Sequence, residues 1–202
     1  MARYTRSRAK LVRNFAENIF GLPKYDKILA KKPYHAGAHG KKMQRRPSDY
    51  GLQLKEKQKL RAIYDVGERQ FTHYYATARK TQTATGEKLL QILESRLDNL
   101  IYRAGFAASR PAARQLVNHN HVLIDGRRVN VPSCIVKLEQ VISLSPKTAQ
   151  MPDVAKLLAN KEINIPKWLK RQALAAKFLR LPERSEIDTN IQEQLIVEYY
   201  SR

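Results

Sequence analysis

Residues 109–133 read SRPAARQLVNHNHVLIDGRRVNVPS, and the hydrophobic period changes inside them. Ser109 suits an N-cap, and Pro111 is tolerated in a first turn because its missing N–H would have been unpaired there. Ala113, Leu116 and Val117 give the segment a helical apolar face, while Arg110 and Arg114 stand one turn apart on another. After His119 the period drops to two. Val122 and Ile124 alternate with Leu123, Asp125-Gly126 intervenes, and Val129 and Val131 alternate with Arg128 and Asn130. Asp-Gly between alternating runs predicts a β-hairpin, since both turn residues need positive φ. Val141–Leu144 is expected to join it as a third strand.

Helical spacing dominates on the N-terminal side. Leu60, Ile63 and Tyr64 share a face with Leu52 at its margin, predicting a helix from Ser48 to near Gly67. Phe71, Tyr74, Tyr75 and Ala78 predict a second helix whose aromatic row is core. Leu89, Leu90, Leu93, Leu97, Leu100 and Ile101 predict one long helix ending at Gly105. Downstream, residues 153–160 read as a helix. Residues 166–182 stay open between helix and strand, because KWLKRQALAAKFLRL has helical propensity inside a β-rich context bounded by Pro166 and Pro182. Thr189 and Gln192 form a capping box before a final helix striped by Ile191, Leu195, Ile196 and Tyr199.

The chain has 202 residues and carries a net charge of +20, with 38 Lys/Arg against 18 Asp/Glu. A charge this large opposes compaction and points to a polyanionic partner. Half of it, +10, lies in residues 1–50, which Gly21, Pro23, Pro33, Gly37, Gly40 and Pro47 interrupt. This segment is expected to be an extended basic arm that orders on nucleic acid, with Arg3, Arg6, Arg8, Lys41, Lys42, Arg45 and Arg46 as phosphate contacts. The apolar share of 43% supports a real core. No stretch is apolar enough to span a bilayer, and no secretory signal follows the basic start. Cys134 is the one cysteine, which excludes an internal disulfide and fits a reducing compartment.

Catalytic signals are weak. His35 and His39 lie in HAGAHG, whose glycines disfavour a shared helical face, and no zincin motif or thiolate set completes a metal site. No phosphate-cradling glycine loop is present, so no metal, cofactor or small-molecule substrate is expected. What remains is a helix with Arg110 and Arg114, then His119 and His121, then a turn followed by Arg127 and Arg128. A helix edge beside a basic β-turn makes an L-shaped surface suited to reading RNA by shape and backbone.

Residues 109–133 resemble the alpha-L RNA-binding motif. With the opening MARY, SDYGLQLKEKQKLR (48–61), TGEKLLQILESRLDNLIYRAGFA (85–107) and LIVEYYSR (195–202), the chain resembles the family of bacterial and organellar small-subunit ribosomal protein four. The resemblance implies an α+β protein: an all-helical lobe (46–93 plus 183–202), an inserted RNA-binding lobe (94–182, the motif over about 94–158) with a small mostly antiparallel sheet, and the basic arm (1–45). It implies a structural protein that binds small-subunit rRNA early, at a junction in the 5′ domain. It further implies contact with small-subunit protein five near where messenger enters, and a contribution to decoding accuracy. The ribosome implied is cytoplasmic, with an organellar one left open. RNA-facing residues carried over are Tyr50, Gln53, Lys55, Lys57 and Arg61 in the helical lobe. In the motif lobe they are Arg96, Arg103, Ser109, Arg110, Arg114, Gln115, His119, Arg127 and Arg128, with His121 added from the L-shaped surface. Neither Arg110 nor Arg114 lies on the apolar stripe, so glutamate at both is expected to leave the lobe folded. The arm lacks the zinc-binding cysteines of many relatives, so zinc is not carried over. The alternative is an RNA-modifying enzyme such as a pseudouridine synthase using the same motif, which would need an additional catalytic domain.

Overall fold

Asp125 and Gly126 take φ of 48° and 80°, and the hairpin they turn seeds a five-stranded antiparallel sheet. A computed structural model describes residues 7–42, 46–160 and 164–202. Its chain divides into two compact units, Met1–Gly86 with Thr189–Arg202, and Glu87–Asp188.

In the second unit the strands are β1 (Val122–Ile124), β2 (Arg127–Arg128), β3 (Val141–Leu144), β4 (Leu169–Gln172) and β5 (Ala175–Phe178), ordered β2-β1-β3-β5-β4. Leu123 pairs with Arg128, Ile124 with Ile142, and Ile142 with Ala176. This register puts Val122, Ile142, Leu144, Ala176 and Phe178 on one buried face. Helices α6 (Leu97–Arg103) and α7 (Arg110–Asn118) supply Leu97, Leu100, Ile101, Ala113 and Val117 to the same core. Each leucine, isoleucine, valine or phenylalanine among them contributes about 1.5–3 kcal/mol on burial. After β3 come α8 (Pro146–Ala149) and α9 (Pro152–Ala159), and a 3₁₀ turn spans Arg184–Glu186.

Residues 166–182 resolve as the β4–β5 hairpin. Leu169, Ala176 and Phe178 fall on one buried face of the hairpin, Trp168 is buried just before it, and the free edge of β3 gives β5 a partner, so tertiary pairing overrides helical propensity. Trp168 meets Phe178 edge-on at 5.8 Å. The long helix expected over 85–105 is two helices, α5 (Thr85–Glu94) and α6. The Ser95 hydroxyl bonds back to Gln91 O at 2.7 Å, and Arg96 pairs with Ile135 as an isolated bridge. Leu97 N–H donates to Cys134 O and Val136 N–H to Ser95 O, so 95–97 serve residues 134–136 rather than a helix. Gly105 then reverses the chain with φ 73°.

The first unit is helical: α1 (Arg8–Phe15), α2 (Pro23–Lys31), α3 (Asp49–Tyr64), α4 (Glu68–Arg79) and α10 (Glu193–Tyr200). Phe71, Tyr74, Tyr75 and Ala78 of α4 are all buried. Leu52 is exposed, so the buried face of α3 rests on Leu60, Ile63 and Tyr64. The capping box expected at Thr189 and Gln192 does not form: α10 starts one residue after Gln192, whose N–H is taken by Glu56 at 3.3 Å.

The segment expected as an extended arm is a correction. Its described residues hold α1 and α2, and the breakers only punctuate them. Gly21 turns the chain at φ 65° and Pro23 opens α2. Val12 is fully buried, Lys59 of α3 bonds Glu17 at 2.5 Å, and Arg8 lies 3.5 Å from Asp65. Arg13 donates to the carbonyls of Tyr34 and His35, so opposite charges and carbonyls offset the basic self-repulsion. Replacing Val12 with Asp should release this segment, because a buried unpaired charge cannot be retained. Trypsin cleavage at Lys10 and Arg13 is then expected to accelerate about tenfold or more while α3 and α4 persist. Equal cleavage rates for the two proteins would contradict the packing.

Candidate nucleic-acid interface

In the second unit, α7 starts at Ser109, whose hydroxyl caps Ala112 N–H, with Pro111 in the first turn. This fixes the side chains of Arg110, Arg114, Gln115 and His119 along one length of helix. Their environments differ sharply. Arg114 donates through Nε and Nη2 to Asp98 Oδ2 at 3.1 and 2.7 Å. Arg96 grips the same carboxylate at 3.0 and 2.6 Å. The Asp98 and Arg96 side chains are 4% and 2% exposed, and Arg114 is 15% exposed. A parallel set runs beside them. Arg103 makes a two-pronged bond to buried Glu94 at 3.1 and 2.8 Å, Asn99 Nδ2 donates to Glu94, and Arg110 Nε donates to Asn99 Oδ1 at 2.8 Å. The Arg110 guanidinium also lies 4.7 Å above the Tyr102 ring.

Arg96 is therefore a buried structural cation and not an RNA-facing residue. Arg103 and Arg114 are held by carboxylates behind the surface, and Arg110 is half-buried. Glutamate in place of Arg114 would set a like charge against Asp98 where a guanidinium now pairs with it, so substitution at 110 and 114 is expected to cost stability in this unit. The anchors Glu94, Asp98 and Asn99 escaped the sequence reading. Their signal was present: LESRLDNL places two acids on the apolar side of a leucine-rich run. Gln115, His119, Arg127 and Arg128 are exposed, and among the described residues neither arginine of β2 has an ion pair. His121 is half-buried, its ring 6.2 Å from that of His119.

The first unit holds a different arrangement. Ser48 caps Gly51 N–H and starts α3, which sets Tyr50, Gln53, Lys55, Lys57 and Arg61 along it. Lys57 is buried: Nζ bonds Glu68 Oε1 at 2.6 Å and lies 4.3 Å from the centre of the Tyr199 ring. Gln53 is buried too, donating to Glu198 Oε2 at 3.0 Å. These two tie helices together and are not free for a ligand. Arg61 pairs with the second Glu68 oxygen. Lys55 and Tyr50 are exposed, the tyrosine leaning on Tyr199 at 5.7 Å. Arg8 is half-buried beside Asp65, whereas Lys41, Lys42 and Arg46 are exposed, with Lys41 over the Tyr34 ring at 5.3 Å. Arg3, Arg6 and Arg45 lie outside the described residues.

Burial alone would raise the Glu68 carboxyl, but the Lys57 and Arg61 cations outweigh it and hold the group below its ordinary value of 4.5. A depressed carboxyl adds stability above its unfolded value and loses it as pH falls through the folded one. Glu68→Gln should therefore flatten the acid limb of the helical unfolding curve below about pH 4.5, read by circular dichroism against pH. In the other unit, Asp98→Ala should cost about 3–5 kcal/mol in urea unfolding, since it strands buried Arg96. Arg127→Ala and Arg128→Ala should stay within about 0.5 kcal/mol of the parent in the same assay.

Comparison with known proteins finds two family matches along the chain. Residues 3–94 match the family described as ribosomal protein S4/S9 N-terminal domain, and residues 95–142 match the S4 domain. The chain is 47% identical to small ribosomal subunit protein uS4 of Parabacteroides distasonis over 204 residues, covering 100% of both chains. It is 45% identical to the protein of that name from Porphyromonas gingivalis, with the same coverage. For the counterpart in Borrelia duttonii the identity is 43%, covering 100% of this chain and 99% of that one. Likeness of this extent, end to end and through both units, means that the chain belongs to the uS4 family of small ribosomal subunit proteins.

Proposed function

We propose that the protein is a structural, non-enzymatic constituent of the small ribosomal subunit that binds its rRNA directly. Full-length identity to the uS4 relatives carries this reading. It gives the enzyme alternative no support, since those relatives are matched over their whole length. The site of action is the cytoplasmic ribosome. Among the described residues no helix is long and apolar enough to cross a membrane.

The finer reading is that the protein engages a helical junction of the rRNA 5′ domain, nucleates assembly there, touches small-subunit protein five and supports decoding accuracy. The contact surface is Gln115 and His119 on α7 with Arg127 and Arg128 on the hairpin, supplemented by Lys55, Tyr50, Lys41, Lys42 and Arg46. Arg127 and Arg128 follow the turn that Asp125 and Gly126 fix, and their guanidinium groups are uncommitted. Phosphates suit them: such groups release condensed counterions and make binding salt-dependent. Arg103, Arg110 and Arg114 supply a positive field from just behind the surface. The lobe boundaries belong to the same reading: a helical lobe from 46–93 plus 183–202, with α1 and α2 packed in the same unit, and an RNA-binding lobe over 94–182.

Filter binding to a 5′-domain transcript at several salt concentrations tests the interface. Arg127→Ala with Arg128→Ala should lower the slope of log K against log salt by roughly 0.7–0.9 for each phosphate no longer neutralised. An unchanged slope and affinity would remove the hairpin from the interface.

A further inference from the structure

Beside α7 lies a groove of about 600 Å³ whose lining includes Gln115 and His119 and neither Arg127 nor Arg128. Small-molecule sites span about 300–1,000 Å³, so it is large enough for a discrete ligand group. From α7 and the turn before it, the small side chains of Ala107, Ala108 and Ala112 and the apolar Leu116 line it. Met151, Pro152, Val154 and Leu157 at the start of α9 make the opposite wall. At the rim stand Gln115, His119 and His121 on one side and Asp153 and Lys156 on the other. Among the described residues, the side chains of Gln115, Asp153 and Lys156 have no hydrogen bond or ion pair. Exposed, uncommitted polar groups thus border an apolar slot on the same helix that presents Gln115 and His119 to solvent.

We propose that this groove receives a single unstacked nucleobase of the RNA whose backbone is held by α7 and the β1–β2 hairpin. The inference rests on the RNA-binding reading above and adds a base-specific subsite to it. A phosphate is the wrong occupant: the walls are apolar, and the Asp153 carboxylate opposes an anion beside the one ammonium of Lys156. A base suits the site chemically, being flat and apolar on its faces and polar at its edge. Single-stranded RNA is read by splaying such bases out, stacking them on aromatic side chains including histidine, and bonding their edges. The His119 and His121 rings, 6.2 Å apart and tilted by 35°, provide the stacking surfaces. Gln115 can both donate and accept at a base edge, and a carboxylate such as Asp153 accepts from an exocyclic amino group. Continuity decides between RNA and a protein side chain, because Gln115 and His119 belong to the proposed RNA surface and to the groove at once.

The test uses the full-length protein and a transcript of the small-subunit rRNA 5′ domain, probed with reagents that modify Watson–Crick edges. Two variants alter the groove independently: Ala112→Phe fills it, and Gln115→Ala with His119→Ala strips exposed rim groups that the core does not need. The parent should protect the base edge of one unpaired nucleotide. Both variants should expose that base and weaken binding about tenfold, the size of one base–aromatic stack, with the salt slope unchanged. Binding within about twofold of the parent, with every base protection retained, would overturn the proposal, because removing a stacked base should cost more than that. So would variants that bind the naked transcript normally and fail only alongside other subunit proteins, since the groove would then hold a protein side chain. Should the parent itself not bind the transcript, the RNA-binding reading falls and the groove proposal with it.

Discussion

A single carboxylate, that of Asp98, sets the geometry of the motif unit. It is almost fully buried, and two guanidinium groups from different segments close on it, Arg96 before α6 and Arg114 on α7. Its own backbone N–H donates to Pro132 O, so the loop after the hairpin meets at the same point. An isolated carboxylate there would be strongly destabilising; here both oxygens accept charge-assisted hydrogen bonds, from Arg96 and Arg114. Because α6, α7 and residues 132–136 converge on this charge, the direction of α7 relative to the sheet follows from it. Exposed Gln115 and His119 inherit that direction.

Much of the architecture was legible because local and tertiary preferences agree. Asp125-Gly126 needs positive φ at both positions and takes it. Phe71, Tyr74, Tyr75 and Ala78 share one face of α4 and are all buried. Legibility failed where a long-range partner overrode a local preference. Residues 95–97 leave the helix because Cys134 and Ile135 offer pairing that no short window reveals, and RQALAAKFLRLP becomes a hairpin because β3 has an open edge. Likewise the segment holding α1 is fixed by burial of Val12 and by the long-range pair between Glu17 and Lys59 of α3, which no local window shows.

At the level of the interface, arginines were visible as residue types but not as environments. Arg96, Arg103, Arg110 and Arg114 recur at spacings that look like a binding face, yet Glu94 and Asp98 pull three of them inward. Arg127 and Arg128, which follow the two-residue turn, stay exposed and, among the described residues, have no ion pair. In the helical unit the burial of Lys57 and Gln53 was equally hidden, since Tyr199 and Glu198, which engage them, stand as far as 145 residues away in sequence.

The discontinuity of the helical unit bears on how the chain is made. Residues 87–188 are contiguous, so their core can close while synthesis continues. The other unit cannot, because Lys59 donates to the Asn190 carbonyl, Tyr75 stacks on Tyr200 at 4.4 Å, and α10 packs along α3. Those partners are translated only after the whole intervening unit. Residues 7–79 therefore wait with one side of their core uncovered, and their aromatic row is the stretch of nascent chain most in need of shielding. The core of the first unit is completed only by residues 189–202, made after the whole of the inserted unit.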